Sequence, residues 1–492
     1  MDNAPISEPA TAPIGAADTT SASQSGQQEV LPPKPTARQE KVSLWRYLRL
    51  FRADLLSAQP AKLYRAWMAE FRTPFFRSYL VNQPELVDTV LKSRPDEFPK
   101  SNRVSEGLRP LLGNSVFVTN GATWKRQRRI IDPAFEGGRL KHSYPAMHAA
   151  AQAAVARLTD RIAAAPDNSI EIEAETSHAA ADVIFRTLFS IPIEHHLAQE
   201  VFHRFRAYQQ GQPILNLAAF VPLPRWLPRF HRRDTRRNAA HIRALITRLT
   251  EERMQAIAAG SAPRDLATKI MTTADPETGE RFSTDEMADQ VAIFFLAGHE
   301  TSASALAWAL YLVALAPKWQ DRIAEEAADL PLETFSAASK LRISRDVFRE
   351  ALRLYPPVPM MVREATCPQQ FRGRTLPKGA QVVLSPWHLH RHTRLWDNPD
   401  GFDPGRWETD NGKTCQREAY IPFSAGPRVC TGAGFAMIEG PLILSMILQR
   451  FRVEPVAGQE PIPVAHLTVR SKNGIWLHLA PRQREAQPDN DR

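Results

Sequence analysis

Cysteine is scarce: Cys367, Cys415 and Cys430 are the three in 492 residues, too few and too odd in number for a disulfide framework. A reducing cytoplasm is the simpler setting, and an odd cysteine invites a search for a metal-binding or catalytic thiolate. No uncharged run of about 20 apolar residues occurs, so no transmembrane anchor is expected. The N-terminus lacks a basic stretch followed by an apolar one, so no secretory signal is expected either. Glycine is outnumbered by proline, 22 to 40, with no collagen-like period. What remains is a soluble, cytoplasmic globular chain, whose 43% hydrophobic and 23% charged residues are ordinary for that class. Its length exceeds the roughly 100–200 residues of an average domain and admits one large enzyme.

The net charge of +9 arises from 62 basic and 53 acidic side chains. Such a surplus suits an anionic membrane, nucleic acid or an acidic protein. No zinc finger or compact basic tail supports nucleic acid, so none is expected. Residues 1–40 are rich in Ala, Pro, Ser, Thr and Gln, which predicts a disordered tail. One domain is expected over 41–482, folding from about Val42, followed by a flexible tail over 483–492. Trp45, Leu48, Phe51 and Leu55 recur at helical spacing among Arg46, Arg49 and Arg52. That pattern fits a helix packed on the domain, or one lying weakly on a membrane surface. Helical periodicity dominates elsewhere, over Ala146–Ala163, Arg233–Ala259, Thr284–Ala314, Ser344–Leu354 and Gly434–Phe451. Ser78–Val81, Gln381–Leu384 and Ile475–Leu479 read as short strands. The fold class is mainly α with a minor β component.

Four patterns carry chemistry. The first is Phe423-Ser424-Ala425-Gly426-Pro427-Arg428-Val429-Cys430-Thr431-Gly432, ahead of an apolar helix. Backbone N–H donors at a helix start favour thiolate over thiol at Cys430. Gly426 and Gly432 permit tight turns and close approach to a flat cofactor. Arg428 could neutralise an acidic substituent of that cofactor. In the second, Ala297-Gly298-His299-Glu300-Thr301, Ala297 and Thr301 share one face of a long apolar helix beside the small Gly298. His299 reads as structural. The third is Glu350-x-x-Arg353, an i,i+3 ion pair followed by Pro356-Pro357, with Phe402-Asp403-Pro404-Gly405-Arg406-Trp407 downstream. The fourth is Trp124-Lys125-Arg126-Gln127-Arg128-Arg129, whose Trp124 and Arg128 lie on one face. His388, His390 and His392 alternate as metal ligands on a strand might, but their surroundings read better as a packed loop.

The loop Phe423–Gly432 resembles the FxxGxRxCxG haem-binding loop of the cytochrome P-450 monooxygenases, and the other three patterns follow the family's order over roughly 42–482. The resemblance implies the cytochrome P-450 fold, with haem b (iron protoporphyrin IX) between the long central helix and the cysteine-loop helix, and Cys430 as its iron ligand. It implies that Phe423, Gly426, Arg428 and Gly432 cradle the haem below, and Ala297 and Gly298 above. Trp124, Arg128 and Arg363 would hold the propionates, and Glu300 and Thr301 would deliver protons to bound dioxygen. Glu350, Arg353 and Arg406 would form a structural ion-pair network. The family often has glutamate where this chain has Gly405.

The activity so implied is hydroxylation or epoxidation of a lipophilic substrate with one oxygen atom from O2. With 62 residues after Cys430, electrons would come from a separate ferredoxin or flavodoxin with its NAD(P)H-dependent reductase. An acidic donor would dock on Lys125, Arg126 and Arg129. A peroxide-driven or isomerising haem-thiolate enzyme, and a non-enzymatic haem sensor or carrier, are the rival readings. The substrate pocket is expected at Leu108, Leu111, Phe294, Met360 and Met361, under an apolar lid over Ile214–Leu227.

Overall fold

The computed structural model describes residues 29–39, 42–72, 77–136, 138–210, 233–465 and 467–482. Its centre is the helix Thr284–Ala314, buried along most of its length and on most sides. The helix starts where Ser283 accepts from Glu286 N–H and Glu286 accepts from Ser283 N–H, a reciprocal cap that satisfies two otherwise orphaned donors. The helices Ile172–Phe189 and Arg233–Ala258 flank it on one side. Arg342–Leu354 and Ala433–Arg450 pack on another. Trp308 stacks on Tyr355 with ring centroids 3.9 Å apart, tying the central helix to the chain after Leu354.

The strands are short and peripheral. They are β1 (Met68–Arg72), β2 (Arg77–Val81), β3 (Ser169–Glu171), β4 (Met361–Glu364), β5 (Gln369–Phe371) and β6 (Arg374–Leu376). After them come β7 (Gln381–Leu384), β8 (Phe451–Pro455), β9 (Pro463–Ala465), β10 (Val469–Ser471) and β11 (Trp476–Pro481). One sheet has the order β1-β2-β7-β4, with β2 and β7 parallel and the other pairs antiparallel. A second has the order β3-β11-β8, and β9-β10 and β5-β6 are separate antiparallel pairs. The chain is therefore mainly α with a minor β component.

Expected helices and strands appear with ends displaced by a few residues; the helix expected from Ala146 begins at Arg139. The tail boundary needs correction. Residues 29–39 pack on the body: Phe402 N–H donates to Val30 O at 2.9 Å, Tyr355 Oη to Pro33 O at 2.6 Å, and Arg38 N–H to Gln59 O at 3.2 Å. Pro32 and Pro35 are buried. The segment contributes proline rings and backbone acceptors in place of an apolar stripe, which composition alone does not register. Residues 1–28, 483–492 and the stretch Ile214–Leu227 lie outside the described residues.

Candidate active site

A cavity of about 1220 Å³ opens between the central helix, the cysteine loop with its helix, and the β4–β7 edge of the sheet. Phe423, Arg428, Cys430 and Gly432 line it, as do Trp124, Arg128, Ala297, Gly298, Glu300, Thr301 and Arg363. Residues spread over more than 300 positions of sequence thus meet around one space.

The cysteine loop is fixed by its backbone. Cys430 N–H donates to Phe423 O at 2.9 Å, and Gly426–Arg428 forms a single 3-10 turn. Gly426 has φ +69°, and a Cβ there would lie 1.9 Å from Leu91 O. Its smallness therefore serves packing on Leu91, correcting the expected close approach to a flat cofactor. At Gly432 a Cβ would meet Cys430 Sγ at 3.9 Å, an ordinary contact distance. Cys430 is exposed toward the cavity that it lines. Burial raises the thiol's affinity for its proton, against the Gly432 N–H and the charges of Arg128 and Lys100. The other two thiols are elsewhere: Cys367 donates to Glu97 at 3.3 Å and Cys415 to Leu395 O at 3.1 Å.

Beside the sulfur the cavity wall is densely cationic. Arg428 donates to Asn120 Oδ1 at 2.7 Å and lies 4.1 Å from the Trp124 ring centre. Arg128 reaches Val429 O at 2.9 Å and pairs with Asp132 at 2.8 Å. The Arg363 guanidinium, on β4, donates to its neighbour's carbonyl, Val362 O, at 3.3 Å. Burial lowers Arg363 and Arg428 to about 10, the latter helped by Arg363 and Arg128. Lys100, which the motifs did not single out, bridges to Arg363 across a single β-type contact. Burial, then Arg363, Arg428 and Arg128, hold its ammonium well below the ordinary lysine value. Among the described residues, Lys100, Arg363 and Arg428 have no carboxylate partner. Such a cluster is unfavourable alone and fits a flat ligand carrying carboxylates.

The opposite wall is the central helix. Thr301 donates to Ala297 O at 2.6 Å. The missing side chain of Gly298 accommodates Ile184, because a Cβ would lie 2.3 Å from Ile184 Cδ1. That corrects the expectation that it simply widens the notch. Glu300 is buried, yet Arg470 Nη2 donates to it at 2.5 Å and Thr468 Oγ1 at 3.1 Å. Neither partner, on the β9–β10 hairpin, was legible from the motif. His299 is buried against Phe202 and Phe295 with Nε2 2.7 Å from Ser177 Oγ, and burial pushes it down to about 3, so it is neutral and structural.

Glu350 accepts from Arg353 at 2.7 and 2.9 Å, from Arg406 at 2.9 Å and from Asp403 N–H at 3.1 Å. Burial opposes charge on Glu350, but the two guanidiniums win and hold the carboxyl below its usual value. Both arginines spend their remaining donors on carbonyls between His390 and Gly401. The three histidines sit on and after the single turn Pro386–Leu389, not on a strand. His390 Nε2 accepts from Ile421 N–H at 2.9 Å, His388 meets Ser385 Oγ at 2.8 Å, and His392 stacks on Trp67.

Leu108, Phe294, Met360 and Met361 line the cavity. Leu111 does not; it is fully buried in the core, and the pocket expectation is corrected there. The expected docking patch is also corrected. Arg126 pairs with Glu286 at 2.6 Å and Glu280 at 3.6 Å, Arg129 with Asp275 at 2.6 Å and Glu277 at 3.0 Å, and Lys125 with Asp96 at 3.4 Å.

One thiol, a cationic rim and an acid–alcohol pair thus face a single cavity. The sequence profile of the Cytochrome P450 family matches residues 61–478. The chain is 34% identical over 427 residues to a cyclooctat-9-en-7-ol 5-monooxygenase of Streptomyces melanosporofaciens, covering 85% of this chain and 87% of that one. It is 32% identical over 401 residues to cyclooctatin synthase of the same organism, covering 79% and 84%. Cytochrome P450 4A10 of Rattus norvegicus is 32% identical over 429 residues, covering 82% and 81%. The chain belongs to the cytochrome P450 family. It is a haem-thiolate monooxygenase, an oxidoreductase.

Proposed function

We propose that Cys430 is the haem ligand and that this enzyme inserts oxygen into a lipophilic, cyclic or long-chain substrate in the cavity beside Phe294, Leu108, Met360 and Met361. The observation that carries the reading is the meeting of one thiol, three cations without carboxylate partners among the described residues and the Glu300–Thr301 pair on a single cavity. When bound, the haem supplies an iron at which dioxygen is cleaved, favoured by electron donation from a thiolate. Lys100, Arg363 and Arg428 would neutralise its two carboxylates, with Trp124 and Arg128 beside them. Phe423 and Gly432 would bound its lower face, and Ala297 its upper.

Thr301 gives its hydroxyl hydrogen to Ala297 O, which leaves its oxygen lone pairs to accept from a water in the cavity. Glu300, held by Arg470 and Thr468, occupies the next acceptor position inward of solvent. Gly298 sets the approach of Ile184 to this wall. Glu350, Arg353 and Arg406 act at a distance by fixing the chain that precedes the cysteine loop. The relative named for cyclooctat-9-en-7-ol supports a cyclic alcohol as one substrate class, and the apolar wall supports terpenoids, fatty acids and polycyclic compounds as well. Electrons would come from a ferredoxin or flavodoxin with its reductase.

Cys430→Ser tests the ligand. The reduced carbon monoxide complex should lose the red-shifted band of thiolate ligation, while Cys367→Ser and Cys415→Ser retain it. Retention by Cys430→Ser would move the ligand elsewhere. A panel of terpenoids, fatty acids and polycyclic compounds, screened for shifts of the haem absorption band, selects the substrate class. Turnover with peroxide alone, and none with dioxygen and reductant, would favour the peroxide-driven reading.

A further inference from the structure

The cavity holds a cation that the haem does not call for. Arg206, on the helix His196–Gln210, lines the same space as Phe294 and Thr301 and is half-buried. Its guanidinium lies 5.8 Å from the Phe202 ring centre, and Phe202 packs edge-on against His299 of the central helix at 5.5 Å. His299 feels the charges of both Arg206 and Arg470, so the two guanidiniums stand near one turn of that helix. Among the described residues, Arg206 has no ion pair and no hydrogen bond. The acids that share the cavity are engaged elsewhere. Glu300 holds Arg470 and Thr468, Glu173 accepts from Ser471 N–H at 3.0 Å, and Glu171 accepts from Glu173 and Ala174 N–H at 3.1 and 2.9 Å. Glu439 keeps its proton up to about pH 8 and offers no charge below it. The stretch 211–232, outside the described residues, contains neither aspartate nor glutamate.

We infer that Arg206 anchors a carboxylate at one end of the substrate, whose apolar remainder fills the space beside Phe294, Leu108, Met360 and Met361. The inference rests on the proposed lipophilic substrate and narrows it to acids. A guanidinium drawn into a largely apolar cavity without a counter-charge is unfavourable. A carboxylate matches its fork of donors with two parallel bonds. A dianion such as a phosphate monoester fits less well, because Glu173 and Glu300 bring negative charge to this part of the cavity, where each acts on the other. Lys100, Arg363 and Arg428 do not compete for the substrate, since they face the haem carboxylates in the proposed arrangement. A neutral alcohol would leave Arg206 without a partner, so the free guanidinium favours the acid over the alcohol of the same carbon skeleton.

The test is titration of the haem-loaded enzyme with matched pairs: a long-chain, a terpenoid and a polycyclic carboxylic acid, each beside its primary alcohol. Binding is read from the shift of the haem absorption band at neutral pH, where the carboxyl is ionised. At least one acid should bind roughly tenfold or more tightly than its alcohol, the gain of a charge-assisted hydrogen bond. Arg206→Gln should abolish that preference by weakening the acid and not the alcohol, and Arg206→Lys should keep part of it. Arg204→Gln, exposed on the same helix, should retain the full preference. Haem content and melting temperature, measured for each variant, separate a lost anchor from a misfolded chain. Acids that bind wild type no more tightly than their alcohols overturn the inference without recourse to any variant, and leave the lipophilic reading standing. A preference that survives in Arg206→Gln also overturns it. If no acid and no alcohol shifts the band, the lipophilic reading falls and the inference falls with it.

Discussion

Thr301 and Glu300 are neighbours in sequence but differ in how firmly they are held. The threonine has one short bond to its own helix, whereas the glutamate is anchored by a guanidinium and a hydroxyl from a distant hairpin. Thr301→Ala should therefore leave haem content and substrate binding intact while diverting electrons from product to peroxide, because the cavity loses its ordered water acceptor. Product formed per NAD(P)H consumed, set against peroxide released, is the measurement, and an unchanged ratio would remove Thr301 from proton delivery. Arg470→Met should act through Glu300. A buried carboxylate deprived of its cation loses the charge-assisted bond that fixes its position, so product coupling should fall, and Arg470→Lys should restore it in part. Lys100 and Arg470 were not legible because each gains its role from a partner far along the chain. Cys430, by contrast, was legible because ten contiguous residues build its loop.

Elements that depend on their own sequence were read well, and elements that depend on a partner were not. The central helix has apolar residues on every face and a local cap, so its limits, Thr284 and Ala314, follow from the sequence. Strand β4, only four residues long, exists because Met361–Glu364 pairs with β7, and nothing within it signals a strand. The Glu350–Arg353–Arg406 network shows how elements at 350, 390–401 and 406 are locked together. Glu350→Gln would leave two buried guanidiniums without a carboxylate, and breaking a buried pair from one side costs about 3–5 kcal/mol. Lower haem occupancy and a melting temperature reduced by several degrees should follow, read by absorbance and calorimetry; a stable, fully loaded variant would contradict the assignment.

The cysteine helix carries a second electrostatic feature. Glu439 is fully enclosed, lines the cavity, and has one carboxyl oxygen without a hydrogen-bond partner among the described residues. Burial pushes its carboxyl up to about 8 from an ordinary value of 4.5, opposed only by Ser302. Between those values the folded chain keeps a proton that the unfolded chain releases. The stabilisation is thus complete below about pH 4.5 and is lost as pH rises through 8. Glu439→Gln should flatten the decline of melting temperature over that window. An equal decline in variant and wild type would mean that Glu439 does not carry it.

At the scale of the whole molecule, the question is where a net charge of +9 resides. The short basic run at 125–129 suggested a docking patch, because a sequence displays charges without the carboxylates that fold against them. In the structure, that run is paired with acids from 96 and from 275–286. Part of the surplus instead faces inward, as Lys100, Arg363 and Arg428 around the cavity, and part lies on the first helix. Arg126 illustrates the consequence. Its side chain is only 17% exposed and holds Glu286, the residue that caps the central helix. Arg126→Glu would set a third carboxylate against Glu286 and Glu280, so it should destabilise the start of that helix and lower the melting temperature. Stopped-flow reduction of the substrate-bound enzyme by its electron donor should still slow with added salt, since screening beyond roughly 8 Å acts on whatever exposed charges steer the partner. The decisive comparison is the slope of that salt dependence. A parallel slope in Arg126→Glu, with a lower melting temperature, assigns Arg126 to the fold. A flattened slope with an unchanged melting temperature would return it to the docking surface.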